Sequence, residues 1–314
     1  MHFMKVALFG SSGLLGSAVR DALCRRGHQC MAFSLRGTGS EETALCLKNE
    51  NQVTRVLLDT WPDAVINCAA ISSPDLVEGN PGEAYSINVD GAVGLAEISS
   101  HLGARFIHVS TDMVFDGNSS PYRSTDCPNP LNEYGRQKLE AEKRVLRVTE
   151  ENLVVLRITL LNGNSPSGKR SLHEKILRGL FNNTLPVLFS DEIRQPASAE
   201  NVASVMVELL ERPNLNGLFH WAGEEEISRY EMGIRILDRF GFSHDRIKEG
   251  SSINYDHGNR PMHLSFELSP LSGKLTTHPA SIEEQLQGLL LPNDLYTWYR
   301  ENVDDASCYI HRIK

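Results

Sequence analysis

No apolar run in the 314 residues approaches the roughly 18 that a bilayer-spanning helix needs, so a helical membrane protein is not expected. The first apolar stretch, Val6 to Phe9, runs straight into glycines, which is not the pattern of a cleaved leader. The six cysteines, Cys24, Cys30, Cys46, Cys68, Cys127 and Cys308, include no C-x-x-C pair, and several sit in apolar stretches where a thiol acts as a small hydrophobe. A reducing, cytoplasmic setting is therefore expected. Cys308, His257 and His263 form no metal-ligand pattern, and no metal is expected. Positive charge is also scarce: 31 Lys and Arg against 40 Asp and Glu leave a formal net charge of -9. That balance argues against a broad nucleic-acid surface, so an anionic ligand has to be held in a local basic pocket.

What is present is a repeated strand-helix rhythm, without internal repeats or low-complexity segments. Apolar strands are expected at Lys5 to Phe9, Gln29 to Ser34, Ala64 to Cys68, Arg105 to Val109 and Leu153 to Ile158. Helical periodicity fills the intervals at Gly13 to Arg26, Asn51 to Trp61, Gly82 to Leu102 and Asn132 to Val148. Such alternation predicts an α/β fold, a doubly wound parallel sheet of the Rossmann type. Beyond Thr159 the rhythm loosens into Gly-, Asn-, Ser- and Pro-rich loops, with a helix near Leu172 to Phe181 and a short strand near Pro186 to Phe189. Helix Ala199 to Glu211 and strand Gly217 to Trp221 then return to the sheet, and Ser228 with Glu231 predicts a capping box on a further helix. The expected division is a dinucleotide-binding domain, 1–160 plus about 191–223, and a smaller substrate-binding lobe, about 161–190 plus 224–314.

Gly10-Ser11-Ser12-Gly13-Leu14-Leu15-Gly16 joins the first strand to the first helix. Glycines allow a tight turn and close backbone approach, and a helix N-terminus offers free N–H groups to a pyrophosphate, so this loop is read as dinucleotide-binding. The second strand ends Phe33-Ser34-Leu35-Arg36, with serine where an NAD site often carries a carboxylate. Ser34 and Arg36 leave room and positive charge for a 2'-phosphate, so NADP(H) is the expected cofactor, NAD(H) remaining open. Cys46 and Leu47, at the end of the expected third strand, are expected to border the adenine.

Tyr134-Gly135-Arg136-Gln137-Lys138 puts a phenol and an ammonium on one helix face. Alone, that spacing usually means a packed ring beside a solvated amine. It gains meaning beside the glycine loop, the hydroxyls of Ser110 and Thr111, and Asn67-Cys68-Ala69-Ala70 at a strand end. Together these resemble the extended short-chain dehydrogenase/reductases. Ser110-Thr111-Asp112-Met113-Val114-Phe115-Asp116-Gly117, then Pro121-Tyr122, Asp126, Pro128 to Asn132 and Tyr134 to Lys138, resembles the dTDP-4-dehydrorhamnose reductase family. Arg194-Gln195-Pro196-Ala197-Ser198-Ala199 and Arg260-Pro261 resemble its later, less specific segments.

The resemblance implies NADPH-dependent reduction of a 4-keto nucleotide sugar, with Thr111, Tyr134 and Lys138 as the reacting set. Tyr134 would be the acid, Lys138 would favour its phenolate and hold the nicotinamide ribose, and Thr111, helped by Ser110, would bond the carbonyl. Cys68, Ala69 and Ala70 would line the cofactor. Asp112 and Met113 would stand beside the substrate, and Arg194 and Arg260 would clamp its diphosphate. Asn88 is read either as a support of the proton route or as a helix asparagine satisfying backbone; Asp75 and Glu78 are read as structural. Met113 stands where the family commonly has tyrosine, and Ser124 where it usually has glutamate, which leaves the sugar and nucleotide open. Two other readings share the fold: a nucleotide-sugar epimerase or dehydratase, and a regulatory protein like the beta subunit of methionine adenosyltransferase. A homodimer is compatible with all of them.

Overall fold

The computed structural model describes residues 3–37, 42–149, 151–184, 186–254 and 260–309. Its first half runs β1 (Lys5–Phe9), α1 (Leu14–Arg25), β2 (Gln29–Ser34), β3 (Glu42–Ala44), α2 (Glu50–Thr60), β4 (Ala64–Asn67), α3 (Pro74–Gly79), α4 (Pro81–Tyr85), α5 (Gly91–Leu102), β5 (Arg105–Thr111), α6 (Glu133–Val145) and β6 (Leu153–Ile158). The second half adds β7 (Leu161–Asn162), α7 (Leu172–Phe181), β8 (Val187–Phe189), β9 (Ile193–Arg194), β10 (Ala197–Ser198), α8 (Ala199–Leu210) and β11 (Gly217–Trp221). It ends with β12 (Ile227–Ser228), α9 (Arg229–Phe240), β13 (Lys248–Gly250), β14 (His263–Leu264), α10 (Ile282–Gln287) and α11 (Tyr296–Asn302).

Seven strands form one parallel sheet in the order β11-β6-β5-β4-β1-β2-β3. Near-continuous apolar strands such as Val6-Ala7-Leu8 and Ala64-Val65-Ile66 are wholly buried, because helices cover both faces. On one face, α1 and α8 pack Leu15, Val19, Val202 and Met206 onto the sheet; on the other, α2, α5 and α6 supply Leu57, Leu95 and Ala141. The chain moves outward from β1 through β2 to β3 and then returns past β1 to β4, so the order reverses between β1 and β4. At such a switch point two loops diverge and leave a crevice at the strand ends. A separate core joins α7, α9, α10 and α11 through Leu177, Ile236, Phe240, Leu286 and Tyr299. Small sheets β12-β9-β14, β13-β8 and β10-β7 lie among these later elements.

Three differences from the sequence reading bear on the site. β5 continues to Thr111, so Ser110 and Thr111 are its last residues and pair with Arg157 and Ile158 of β6. The helix expected from Gly82 to Leu102 is divided by a π-helical turn, Ser86–Asp90, between α4 and α5. Ser228 caps α9 by accepting from Glu231 N–H at 3.0 Å, but the reciprocal half of the box is not made because the Glu231 carboxylate bonds Arg235. His257 lies outside the described residues.

Candidate active site

The glycine loop closes against the end of β4. Gly10 has φ +81°, and a Cβ there would lie 2.6 Å from the Ala69 nitrogen; a Cβ on Gly16 would lie 2.0 Å from the Gly10 carbonyl. These residues let α1 start directly beneath the turn. Gly13 caps α1 with no side-chain hydrogen bond, so no side chain covers its first N–H groups in that way. Ser12 and Leu14 are half-buried and Leu15 is buried along the same edge. A dinucleotide phosphate fits this cradle, since a larger residue would fill it and no acidic side chain stands in the first turn.

Ser34 is buried and accepts from Gly37 N–H at 3.1 Å, which shapes the turn that exposes Arg36. Sequence reasoning missed Glu42, the first residue of β3. Its buried carboxylate accepts from the Ser11 hydroxyl inside the phosphate loop. The sequence reading places only this strand's end, at Cys46 and Leu47, and gives no signal for its first residue. Leu47 is buried against Gly91 and Cys46 is half-buried beside it. Cys68, Ala69 and Ala70 follow β4 at the crevice, and burial pushes the Cys68 thiol up to about 12, so it is a neutral wall.

Thr111, Tyr134 and Lys138 come together from β5 and α6, all buried. Asn132 starts α6 by accepting from Gly135 N–H at 2.9 Å, and Glu78 accepts from Glu133 N–H at 2.9 Å, so α3 and the cap fix the phenol's approach. Gly135 is required there, because a Cβ would lie 2.2 Å from the Met113 carbonyl. Burial raises the Tyr134 pKa, as does the neighbouring Asp112 carboxylate, while a hydrogen bond with Thr111 acts in the opposite direction. Lys138 Nζ donates to the Val109 carbonyl at 2.6 Å and meets His108 Nε2 at 3.1 Å. Burial also brings Lys138 down to about 8.

Asp112 is buried and accepts from the Thr111 hydroxyl at 3.0 Å; burial pushes its carboxyl up to about 6 against the pull of Arg194. Met113 donates its N–H to Thr111 Oγ1 at 3.2 Å and packs beside Tyr134. Ser110 departs from expectation: its hydroxyl donates to buried Glu142, which forms a two-point ion pair with Arg157 at 2.9 and 2.7 Å. Strand alternation turns it to the face opposite Thr111.

Arg194 is also corrected. Its guanidinium donates to the carbonyls of Ile193, Pro261 and Met262 at 2.7 to 3.2 Å and pairs with Glu192 at 3.0 Å, so it ties β9 to the segment before β14. Arg260 is half-exposed and only loosely paired with Asp75, at 3.3 Å, leaving it available. Asn88 accepts from Ile71 N–H at 2.8 Å and donates to Ile71 C=O and Gln137, the backbone-satisfying alternative. Its place in the π-helical turn lets it reach the loop after β4.

The chain matches the family model for the RmlD substrate binding domain over residues 4–293. It is 33% identical to methionine adenosyltransferase 2 subunit beta of Bos taurus, covering 91% of this chain and 88% of that one. It is 31% identical to a probable low-salt glycan biosynthesis reductase of Haloferax volcanii, over 89% of this chain and 95% of that one. The crystal structure of dTDP-4-dehydrorhamnose reductase from Bacillus anthracis, in complex with NADP, has the same fold, with TM-score 0.81, 23% identity and coverage of 91% and 97%. The family match across residues 4–293 and relatives above 30% identity over most of the chain agree: the protein belongs to the RmlD substrate binding domain family.

Proposed function

We propose that the protein reduces a 4-keto nucleotide sugar with NADPH. The observation that carries this reading is the gathering of buried Thr111, Tyr134 and Lys138 from the end of β5 and the first turns of α6, in a fold whose glycine loop leaves no space for a side chain at Gly10 or Gly16. The cofactor, when bound, supplies hydride. Gly10 to Gly16 would hold its pyrophosphate, Ser34 and Arg36 its adenosine ribose, and Lys138 its nicotinamide ribose. Thr111 would bond the substrate oxygen, and Tyr134 would give it a proton, a task that suits a phenol whose environment resists ionisation. Burial and the nearby Asp112 both oppose a phenolate at neutral pH. Residues 1–160 with about 191–223 would carry the cofactor. The segments about 161–190 and 224–314 would hold the substrate, with Arg260 on its diphosphate.

A second reading rests on a specific finding: the relatives include methionine adenosyltransferase 2 subunit beta at 31–33% identity. On that reading the nucleotide site regulates a partner enzyme. Incubation with NADPH and dTDP-4-keto-6-deoxyhexoses separates the two. Stoichiometric loss of NADPH and carbonyl supports reduction; unchanged substrates, with the protein co-purifying with one partner enzyme at fixed ratio, support regulation.

A further inference from the structure

β9 is the middle strand of the small sheet β12-β9-β14, and its Ile193 lies beside Ser228 on one flank and His263 on the other. Arg229 directly follows β12 and Arg260 shortly precedes β14, so both leave the sheet at the end where Glu192 enters β9. Arg194 of β9 is already committed to three backbone carbonyls and to Glu192. Arg229 is not. Its backbone N–H donates to the Glu192 carbonyl at 3.0 Å, but its Nε lies 3.6 Å from Glu192 Oε1, beyond hydrogen-bond reach, and that oxygen is 3.0 Å from Arg194. Arg229 Nη1 is buried and has no hydrogen-bond partner among the described residues.

A guanidinium carries five donors, no acceptor and a charge it cannot shed, so a sealed, unpartnered edge is costly until an anion meets it. The Arg229 side chain is 24% exposed, which leaves a ligand a way in. Arg260, 34% exposed, has only its loose contact with the largely exposed Asp75. The charges around Arg229 place it near the reacting set: after burial, Arg194 and Arg260 oppose its charge, while Glu192 and Asp112, the neighbour of Thr111, support it. Lys175 of α7 belongs to the same group, its pKa lowered by partial burial and then by Arg229 and Arg260. In a chain of net charge -9, this is a local concentration of cations. We propose that Arg229 is a substrate-binding, specificity-determining residue: Arg229 and Arg260 hold the two phosphates of a nucleoside diphosphate from opposite flanks of β9, with Glu192 and Arg194 as the fixed frame.

A purely structural role would have the Arg229 side chain fasten α9 to β9. That joint is made without it, by the pairing of Ser228 with Ile193 and by the Arg229 backbone N–H. Helix stability does not call for it either, since Arg229 is the first residue of α9, where the helix dipole disfavours a cation. Two planar forks flanking one strand suit an anion with two phosphate groups, because each fork can bond two oxygens of one phosphate. The inference rests on the proposed function in taking a nucleotide-linked substrate; binding of the anion does not itself require reduction.

The test is calorimetric titration of the full chain with dTDP, UDP and the uncharged nucleosides thymidine and uridine, in excess NADP⁺ so that the glycine loop is occupied. The wild type should bind at least one of the diphosphates. Arg229→Gln should weaken that binding about tenfold or more and flatten its salt dependence, with NADP⁺ affinity unchanged. Arg229→Lys, which keeps the charge but not the fork, should recover part of the loss. Wild-type protein that binds neither diphosphate, or a folded Arg229→Gln protein that binds as the wild type does, overturns the proposal. If Arg229→Gln does not fold, the arginine side-chain ¹⁵N spectrum of the wild type decides: the Arg229 resonance, assigned with Arg229→Lys, should shift when the diphosphate is added, and an unmoved resonance overturns the proposal. Diphosphate binding that depends on Arg229, without oxidation of NADPH by any keto sugar, would remove the reductase reading and leave this inference standing. Turnover with an unchanged KM in Arg229→Gln would do the reverse.

Discussion

Tyr134 concentrates the chemistry that a single side chain can contribute. If it is the proton donor, Tyr134→Phe should lower kcat by roughly 10²- to 10⁴-fold while NADPH binding stays nearly intact, measured by single-turnover kinetics and fluorescence titration. Asp112 makes a separate prediction about stability. Its folded pKa, about 6, lies above the ordinary 3.8, so the native state binds more protons than the unfolded state between those values. Its contribution is then most favourable below about 4 and is lost as pH rises through about 6. Asp112→Asn should remove that slope, seen as the difference between wild-type and variant denaturation curves over this range. Side-chain identity was legible in the sequence for Thr111, Tyr134 and Lys138, because motif spacing placed them on a strand end and one helix face. Orientation was not. Ser110 and Arg194 have suitable chemistry, but strand alternation gives one to Glu142, and three backbone carbonyls claim the other.

The elements hold the site through two buried joints. Glu142 of α6 and Arg157 of β6 form an ion pair with side chains 2% and 3% exposed, and the Arg157 guanidinium also meets His220 of β11 at 3.3 Å. Glu142→Ala would leave Arg157 charged and unpaired, and should cost about 3–5 kcal/mol in urea unfolding. The second joint is the contact of α1 with the glycine turn. Gly16→Ala should lift the helix from Gly10 and weaken NADPH binding at least tenfold by titration, with far smaller loss of helix content by circular dichroism, because only one turn is displaced. The principal strands and helices could be read from periodicity, since buried parallel strands are continuous apolar runs and covering helices repeat with a helical period. The π-helical turn could not, and β3, expected to end at Cys46 and Leu47, ends at Ala44. The former depends on Asn88 reaching the Ile71 backbone, and the latter is three residues held by pairing with β2.

At the scale of the whole molecule, the sheet crevice supplies one end of the proposed reaction and the later elements supply the other. Arg260 comes from the segment before β14 and is paired with Asp75 of α3, so it spans both. Arg260→Ala should raise KM for a nucleotide sugar several-fold more than KM for a ketone without phosphate; equal changes would indicate general damage. Cofactor preference is another property of the complete site. Ser34→Asp with Arg36→Ala should shift the kcat/KM ratio from NADPH toward NADH by tenfold or more, since a charge-assisted hydrogen bond contributes roughly 1.5–3 kcal/mol. Among the described residues no helix is long and apolar enough to cross a membrane. The most direct measurement of the central claim is a paired assay with purified dTDP-4-keto-6-deoxyhexoses: NADPH absorbance against carbonyl loss by mass spectrometry. The account predicts one NADPH oxidised per carbonyl reduced, abolished in Tyr134→Phe; intact NADPH and substrate with the folded wild-type protein would contradict it.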